Sequence, residues 1–316
     1  MSARLLPLLI LAPLAGCGEP SASWPANKPG PKVVASFPPL FCFAANVGGG
    51  DVSVRSAMTH AGPHDFDPTA DDMQRVRGAD LFVLNGLGLD DRAAQKLKDG
   101  SRNAKLKLID LGAKLDPKLL EEGECHHDHA DGQPHVHGKD PHVWLGPDLA
   151  VKLVEGIRDE FAAADPARAV GYQSRAAAYI ETLTKLQADG KAMLKDKADR
   201  KIVTSHESLE YFARAFDLKV SDVIMTTPGR EPTSKELAAL VDSCVRNKVR
   251  VIAIEPQYAG GGIARRIVEE LARKGVADAA VVEIDPLETA RESDLTPGWY
   301  EAKMRANLAA LAGALK

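Results

Sequence analysis

Short runs of β-branched and aliphatic residues alternate with helix-forming segments along most of this 316-residue chain. The runs typical of strands are "KVVASF", "VSVRSAM", "DLFVLNG", "LKLID", "VTS", "KVSDVI", "RVIAIE" and "AVVEI". Helical spacing separates them in "FCFAANVGG", in "PTADDMQRVRGA" with a Thr cap, and in residues 234–247 and 262–274. Strands that alternate with helices form βαβ units, with parallel strands and right-handed crossovers. The sequence therefore predicts an α/β fold of mostly parallel sheets flanked by helices.

A segment in the middle of the chain interrupts this alternation. It has no strong strand pattern, and its apolar residues recur at helical spacing, at Tyr172, Ala176, Tyr179, Leu183, Leu186 and Met193. Asp165-Pro166 is a good helix start. We therefore predict two lobes, residues 32–165 and 200–316, joined by one long helix over residues 166–199. Such a helix would span roughly 50 Å and restrict hinge motion between the lobes.

The N-terminus is typical of an exported chain. Arg4 precedes an apolar run from Leu5 to Ala15, which is too short for a permanent membrane span and fits a signal peptide over residues 1–16. The residues "LAGC" resemble a bacterial lipobox, in which Cys17 would carry the lipid; an ordinary signal peptide is the alternative. Residues 17–31 are rich in Pro, Ser and Gly, as a tether would be. We expect a protein of the periplasm or of the outer face of the cytoplasmic membrane, anchored through Cys17.

The net charge and the cysteine content further limit the class of protein that this sequence can encode. A formal net charge of -4 without a basic stripe argues against nucleic-acid binding. Cys42, Cys125 and Cys244 remain after Cys17, and this odd number leaves at least one thiol unpaired. We expect Cys42 and Cys244 to be small buried residues, although a bridge between them is possible.

A histidine-rich stretch, "ECHHDHADGQPHVHGKDPHVWL", holds six of the nine histidines. Residues 124–139 have the composition of a loop, and five histidines in them are candidate ligands of weak, accessory metal sites: His126, His127, His129, His135 and His137. A solvated loop without a metal role is the alternative. His142 differs from these five, because it is followed by an amphipathic helix and is expected on ordered structure.

Four candidate ligands lie far apart in the sequence but in similar settings. His64 follows "VSVRSAM", His206 follows "KIVTS", Asp285 follows "VVEI", and His142 lies in "DPHVWL". Ligands of open α/β sheets bind beyond the carboxyl ends of the strands, so these residues can meet in a cleft between the lobes. Three imidazoles and one carboxylate suit zinc. Each residue alone is a weak signal, since a lone His is usually an ordinary polar residue and an Asp before Pro is usually a turn residue.

The chain resembles the zinc- or manganese-specific solute-binding proteins of bacterial ABC transporters, in the group with a rigid interlobe helix. The resemblance rests on "GPHDFDPTADDMQRVRGADLFVLNGLGLD", "DPHVWLGP", "TSHESLEYFARAF", "PGREPTSKELAALVD", "IAIEPQY" and "IDPL", and covers almost the whole mature chain. It implies that His64, His142, His206 and Asp285 bind the metal. Glu255 in "IEPQY" matches a family position near the site, and we interpret it as a support of a His ligand rather than as a ligand itself. The resemblance further implies that a membrane permease is the partner.

The resemblance also favours zinc as the cargo. Manganese-type relatives tend to carry Glu at the position of His206, and a histidine-rich acidic loop is typical of zinc-type members. A manganese- or iron-binding member of the same family is the alternative within this class. We expect a monomer that is not an enzyme.

Two other classes of protein remain alternatives. A zinc hydrolase would need an open metal position and a general base, for which Glu207 is a candidate. The segment "HESLE" begins like the HExxH motif but ends in Glu210, so it lacks the second histidine. A metal-storage protein would bind mainly through the histidine-rich loop.

Overall fold

A computed structural model describes residues 24–25, 27–59, 61–123, 138–225 and 230–316 of the chain. Several predicted features lie outside these residues: the signal peptide, Cys17, most of the tether, Cys125 and the five loop histidines. Within the described part of the chain, no helix combines the length and the apolar character that a membrane crossing requires.

The first half of the chain forms a parallel four-stranded sheet. Its strands are β1 (Lys32–Ala35), β2 (Ser53–Ser56), β3 (Leu81–Leu84) and β4 (Lys107–Asp110), in the order β2-β1-β3-β4. The helices of this half are α1 (Pro38–Gly48), α2 (Ala70–Val76), α3 (Asp91–Ser101) and α4 (Pro147–Ala164). The predicted cap of α2 is confirmed, because Thr69 and Asp72 form a reciprocal capping box.

The second half repeats this arrangement. Its strands are β5 (Lys201–Thr204), β6 (Lys219–Val223), β7 (Val251–Ile254) and β8 (Ala280–Glu283), all parallel, in the order β6-β5-β7-β8. Its helices are α6 (Glu210–Ala215), α7 (Ser234–Asn247), α8 (Ile263–Arg273) and α9 (Trp299–Ala314). In both halves the first strand is inserted between the second and the third. The predicted α/β fold with two parallel sheets is therefore confirmed.

One long helix, α5 (Ala169–Leu194), runs between the two halves after a 3-10 turn at Pro166–Arg168. It ends before the predicted residue 199, and Met193 is 42% exposed while Leu194 is fully buried. After Leu186, the next buried positions on α5 are therefore Gly190 and Leu194. Gly190 is required by packing, because a Cβ there would lie 2.4 Å from the ring of Phe216.

The helix α5 packs against both halves of the molecule. Arg175 donates to Val47 O in the first half and pairs with Asp51 at 2.8 Å. The ring of Phe43, on α1, contacts Tyr179 on α5 and lies edge-on to Tyr300 on α9 at 4.9 Å. Buried residues of the two halves thus form one continuous core, and a smaller core lies within the second half.

The two described cysteines are buried free thiols, as expected, and not a disulfide pair. Cys42 belongs to the shared core and Cys244 to the smaller core of the second half. Burial raises the pKa of Cys42 to about 12 and that of Cys244 to about 11. Neither thiol is therefore a thiolate at neutral pH, and neither is suited to metal binding.

The connection between β8 and α9 crosses to the first half of the molecule. Asn46 donates to Pro297 O at 2.8 Å, and Arg75 pairs with Glu292. This crossing places the residues after β8 beside the residues that follow β2.

Candidate metal centre

Ends of strands from both sheets converge on one point between the two halves. His64 lies in the loop after β2, His206 lies two residues after the end of β5, and Glu288 lies in the turn after β8. The fourth side chain is that of His142, which precedes a 3-10 turn leading into α4. Such a crevice beyond the carboxyl ends of parallel strands is the usual ligand site of this fold class.

Within the described ranges, the group of His, Cys, Asp or Glu residues that can hold a metal consists of His64, His142, His206 and Glu288. One donor atom from each lies within 4.8 Å of the others. His64 Nε2 is 3.1 Å from His142 Nε2, and Glu288 Oε1 lies 3.5 Å from the former and 3.8 Å from the latter. The three imidazole centroids are 5.2 to 6.1 Å apart.

These separations fit a tetrahedral zinc ion. Zinc bonds of about 2.0–2.1 Å to nitrogen and oxygen imply donor separations of about 3.3 Å in a tetrahedron. The observed contacts of 3.1, 3.5 and 3.8 Å bracket that value. At these distances the imidazoles could not all be protonated on both nitrogens, because their positive charges would repel one another.

The imidazole of His142 is oriented by Asp140. The side chain of His142 is 5% exposed, and its Nδ1 lies 2.7 Å from Asp140 Oδ1. The same oxygen accepts from His142 N at 2.9 Å. A carboxylate on Nδ1 fixes the tautomer that leaves Nε2 free to bind a metal.

His206 is supported in the same way by Glu255. His206 Nδ1 lies 2.6 Å from Glu255 Oε1, which also accepts from Ser208 Oγ. The other oxygen of Glu255 accepts from Gln257, and its backbone N–H donates to Ser205 Oγ. Burial lowers the pKa of His206, but Glu255 beside it, with Glu288 and Asp140 farther away, raises it, and the net pKa lies above the ordinary 6.5.

The backbone turn after β8 brings Glu288 to the cluster. Leu287 has a φ of 64°, which is uncommon for a residue with a branched side chain. The turn is held by Trp144, whose Nε1 donates to Pro286 O at 2.8 Å. Burial raises the pKa of Glu288, but the nearby His64, and then His142 and His206, lower it below 4.5 overall.

Asp285, which the sequence predicts as the fourth ligand, is not among the four residues whose donor atoms lie together. Its carboxylate accepts from Lys303 Nζ and from Leu287 N, both at 2.8 Å. Its backbone exchanges two hydrogen bonds with the side chain of Asn307. Asp285 therefore shapes the turn, and that turn presents the carboxylate of Glu288.

A signal for Glu288 was present in the sequence, because "IDPLE" carries two carboxylates after the strand. The choice between them depends on the backbone conformation at Leu287, which a strand-end rule does not specify. Glu255, which the sequence analysis interprets as a supporting residue, lies beside His206 Nδ1 at 2.6 Å.

The cluster opens on one side to solvent. The side chain of His64 is 34% exposed, whereas those of His142, His206 and Glu288 are at most 9% exposed. A cavity of about 870 Å³ adjoins it, and its lining includes His64, His206 and Glu288 together with Asp65 and Lys303. Three of the four donors therefore line this cavity, and His64 is the most exposed of them.

The local structure does not reproduce a helical hydrolase motif. His206 to Leu209 form a turn, and α6 begins only at Glu210. The HExxH arrangement requires its residues on one face of a helix. The cluster instead offers four protein donors to one ion, which is the composition of a closed site.

Two α/β units with matching strand order, bridged by a long helix and sharing a three-histidine, one-carboxylate cluster, define a metal-binding protein of the solute-binding class. The profile of the family described as zinc-uptake complex component A, periplasmic (ZnuA) matches residues 33–314. The chain therefore belongs to this family, as its resemblance implied.

Individual relatives agree with this assignment. The zinc-binding lipoprotein AdcA of Streptococcus pneumoniae is 34% identical over 88% of this chain and 54% of its own length. The high-affinity zinc uptake system protein ZnuA of Bacillus subtilis is 29% identical over 83% of this chain and 82% of its own. A crystal structure of ZnuA superposes with a TM-score of 0.74 at 27% identity, covering 91% of this chain and 100% of that one. This chain spans about half the length of the streptococcal relatives that it matches.

The exchange Glu288→Gln tests the fourth donor. It replaces the anionic oxygen by a neutral amide, so zinc affinity should fall by more than the roughly 10–100-fold typical of losing an outer partner. Asp285→Asn is the matched control and should change affinity less than about threefold, because its carboxylate binds Lys303 and not the cluster. Competition with a chromophoric chelator measures both variants. If Asp285→Asn weakened zinc binding more than Glu288→Gln does, Asp285 would be the fourth ligand instead.

The raised pKa of His206 sets a pH dependence. Zinc needs neutral imidazole, so affinity should fall as the pH drops through the raised pKa, starting above pH 6.5, whereas Glu288 stays ionised to below pH 4.5. In the metal-free protein the sign is reversed: the charged His206 stabilises the fold fully below pH 6.5, and this contribution is lost as the pH rises through the folded pKa.

Glu255→Gln separates this effect from general acid destabilisation. Loss of the carboxylate lowers the pKa of His206, so the fall in zinc affinity should begin at a lower pH. At pH 8 the variant should bind roughly 10-fold more weakly, because the imidazole is less well oriented. Glu269→Gln, on the exposed side of α8, is the control and should keep both values. An unchanged onset in the Glu255 variant would contradict the assigned cause.

Proposed function

We propose that this protein captures zinc outside the cytoplasm and delivers it to the membrane permease of an ABC transporter. The observation that carries the proposal is the convergence of His64, His142, His206 and Glu288 on one point. The family and the relatives named for zinc binding and zinc uptake support the same cargo. The protein is a carrier and not an enzyme, in keeping with that family.

The donor set favours zinc over manganese. Three imidazoles are borderline ligands that suit zinc, whereas manganese prefers sites richer in carboxylate and carbonyl oxygen. The cluster offers one carboxylate, and the other two carboxylates of the centre, Asp140 and Glu255, lie on the Nδ1 side of their imidazoles. Zinc bound by Nε2 of each histidine and by Glu288 would satisfy the tetrahedral preference.

Each protein group has a separate task in this mechanism. His142, His206 and Glu288 are the buried donors of the centre, and His64 is its most exposed donor. Asp140 and Glu255 hold two imidazoles in the metal-binding tautomer. Zinc supplies the positive charge that balances Glu288, so binding should stabilise the folded state in proportion to the free metal concentration.

Two further features complete the proposal. The loop histidines, His126, His127, His129, His135 and His137, act as accessory, weaker sites that gather zinc near the centre, since a loop must lose entropy to bind. The carrier acts as a monomer with two lobes and is tethered by a lipid on Cys17, which raises its effective concentration at the permease. The lipoprotein name of the pneumococcal AdcA supports the tether.

Zinc titration of the mature chain tests the carrier function. The parent should bind one zinc tightly, and a variant without residues 126–137 should keep that site. The double variant His64→Ala, His206→Ala should lose it, because two of the four donors are absent. The double variant His135→Ala, His137→Ala is the matched control, since it also removes two imidazoles. A tight site that disappears with the loop and survives the His64, His206 exchange would make this protein a loop-based chelator instead.

Mass spectrometry of the mature protein tests the tether. The mature chain should begin at Cys17 and carry a diacylglyceryl group on its sulfur. A Cys17→Ser variant should appear in the soluble fraction of the envelope. A parent chain that begins elsewhere, without lipid, would leave an ordinary signal peptide as the explanation of residues 1–16.

A further inference from the structure

The side chain of Tyr211 connects the second half of the molecule with the segment that leads into His142. Tyr211 is fully buried and lies on α6, five residues after His206. Its hydroxyl donates to Asp140 O at 2.9 Å and accepts from Glu121 N at 3.0 Å. A tyrosine hydroxyl has one proton to donate, and here that proton is committed to one backbone oxygen.

Asp140 transmits this contact to the metal centre. Its backbone oxygen is held by Tyr211, while its carboxylate contacts the Nδ1 and the backbone N–H of His142. Asp140 is itself 4% exposed, so water does not readily replace either partner. The position of Asp140 therefore depends on Tyr211, and the orientation of the His142 imidazole depends on Asp140.

Tyr211 also closes a short pair of antiparallel backbone segments. Gly123 N donates to Gly138 O at 2.8 Å, and Asp140 N donates to Glu121 O at 3.0 Å. The tyrosine hydroxyl bonds one further backbone group from each segment, at the end next to His142. The hydroxyl oxygen of Tyr211 thus connects both segments to α6.

Arg214 limits the movement of Tyr211. Its guanidinium lies 5.1 Å from the centre of the tyrosine ring and donates to Glu121 Oε1 at 2.7 Å and to Leu119 O at 3.0 Å. One turn of α6 therefore holds the 119–121 segment through two side chains, and only Tyr211 reaches the residue that orients His142.

We propose that Tyr211 is a positioning residue of the metal centre: its hydroxyl fixes Asp140, and through Asp140 the imidazole of His142, relative to His206. The inference rests on the proposed zinc-binding function. Tyr211 thereby sets the relative position of His142, in the first half, and His206, in the second half, before a metal ion binds. A preformed arrangement of this kind reduces the ordering that binding must otherwise impose.

The variant Tyr211→Phe removes the hydroxyl and retains the ring. We expect its zinc affinity to fall about 3- to 10-fold, below the roughly 10–100-fold effect of losing a direct partner of a ligand, because Tyr211 acts through Asp140. Tyr172→Phe is the matched control: Tyr172 is also fully buried, and its hydroxyl donates to Asp165 between α4 and α5. Its affinity should match the parent, even where both variants unfold at a lower temperature. Equal affinities of the two variants would overturn the proposal.

A double-mutant cycle with Asp140 separates positioning from a general effect on the fold. In an Asp140→Ala background the carboxylate that transmits the contact is absent, so Tyr211→Phe should cause no further loss of zinc affinity. A loss that adds fully to that of Asp140→Ala would overturn the proposal, because the hydroxyl would then act by another route. The visible absorption spectrum of the cobalt-substituted protein gives a second readout: it should change in Tyr211→Phe and stay unchanged in Tyr172→Phe.

The variant His142→Ala distinguishes failure of this inference from failure of the proposed function. If His142→Ala loses the tight site while Tyr211→Phe binds like Tyr172→Phe, the centre stands and the role of Tyr211 is refuted. If His142→Ala keeps the tight site, the proposed centre itself is wrong, and the role of Tyr211 fails with it.

Discussion

The metal centre is built around buried donor atoms that have no hydrogen-bond partner. These atoms meet at one point between the two halves of the molecule. Among the described residues, both ring nitrogens of His206 and Glu288 Oε1 are buried and lack a hydrogen bond of ordinary geometry, although His206 Nδ1 lies 2.6 Å from Glu255 Oε1. An unsatisfied buried polar atom costs about 1–3 kcal/mol, a cost that a ligand bound at this point would offset. The donor atoms of His64, His142 and Glu288 lie 3.1 to 3.8 Å from one another, and His206 joins them within 4.8 Å, so that one divalent cation could contact all four.

Several contacts that hold the donors connect chain segments that are distant in sequence. Trp144, two residues after His142, bonds the backbone before Glu288, and the hydroxyl of Tyr300 on α9 donates to Trp144 O at 2.7 Å. Tyr211 makes the equivalent connection from α6 to Asp140. The interface between the halves is therefore also the frame of the metal centre, which explains why its buried core is shared.

The strands and most helices could be predicted from the sequence, because β-branched runs and helical spacing report local structure. The predicted 234–247 helix coincides with α7, and each of the eight predicted strand runs overlaps a strand. Three of the four clustered side chains also followed from strand-end positions and family motifs.

The features that the sequence did not specify depend on local backbone geometry and packing. Leu287 has a φ of 64° in the turn where Glu288, and not Asp285, joins the other three donors. On α5, Leu194 is buried in place of the predicted Met193, and Phe216 packs closely against Gly190 one turn earlier. The support from Tyr211 had no sequence signal, since it depends on a contact across 71 residues.

The distribution of exposure decides how such a centre can exchange its ion. His142, His206 and Glu288 are at most 9% exposed, and the two histidines contact supporting carboxylates, whereas His64 is 34% exposed. Breaking the buried contacts would expose the unsatisfied atoms again, at the cost estimated above. Movement of His64 removes one donor and opens the ion to the cavity without that cost. The side of His64 is therefore the side from which a donor can leave while the buried contacts stay intact.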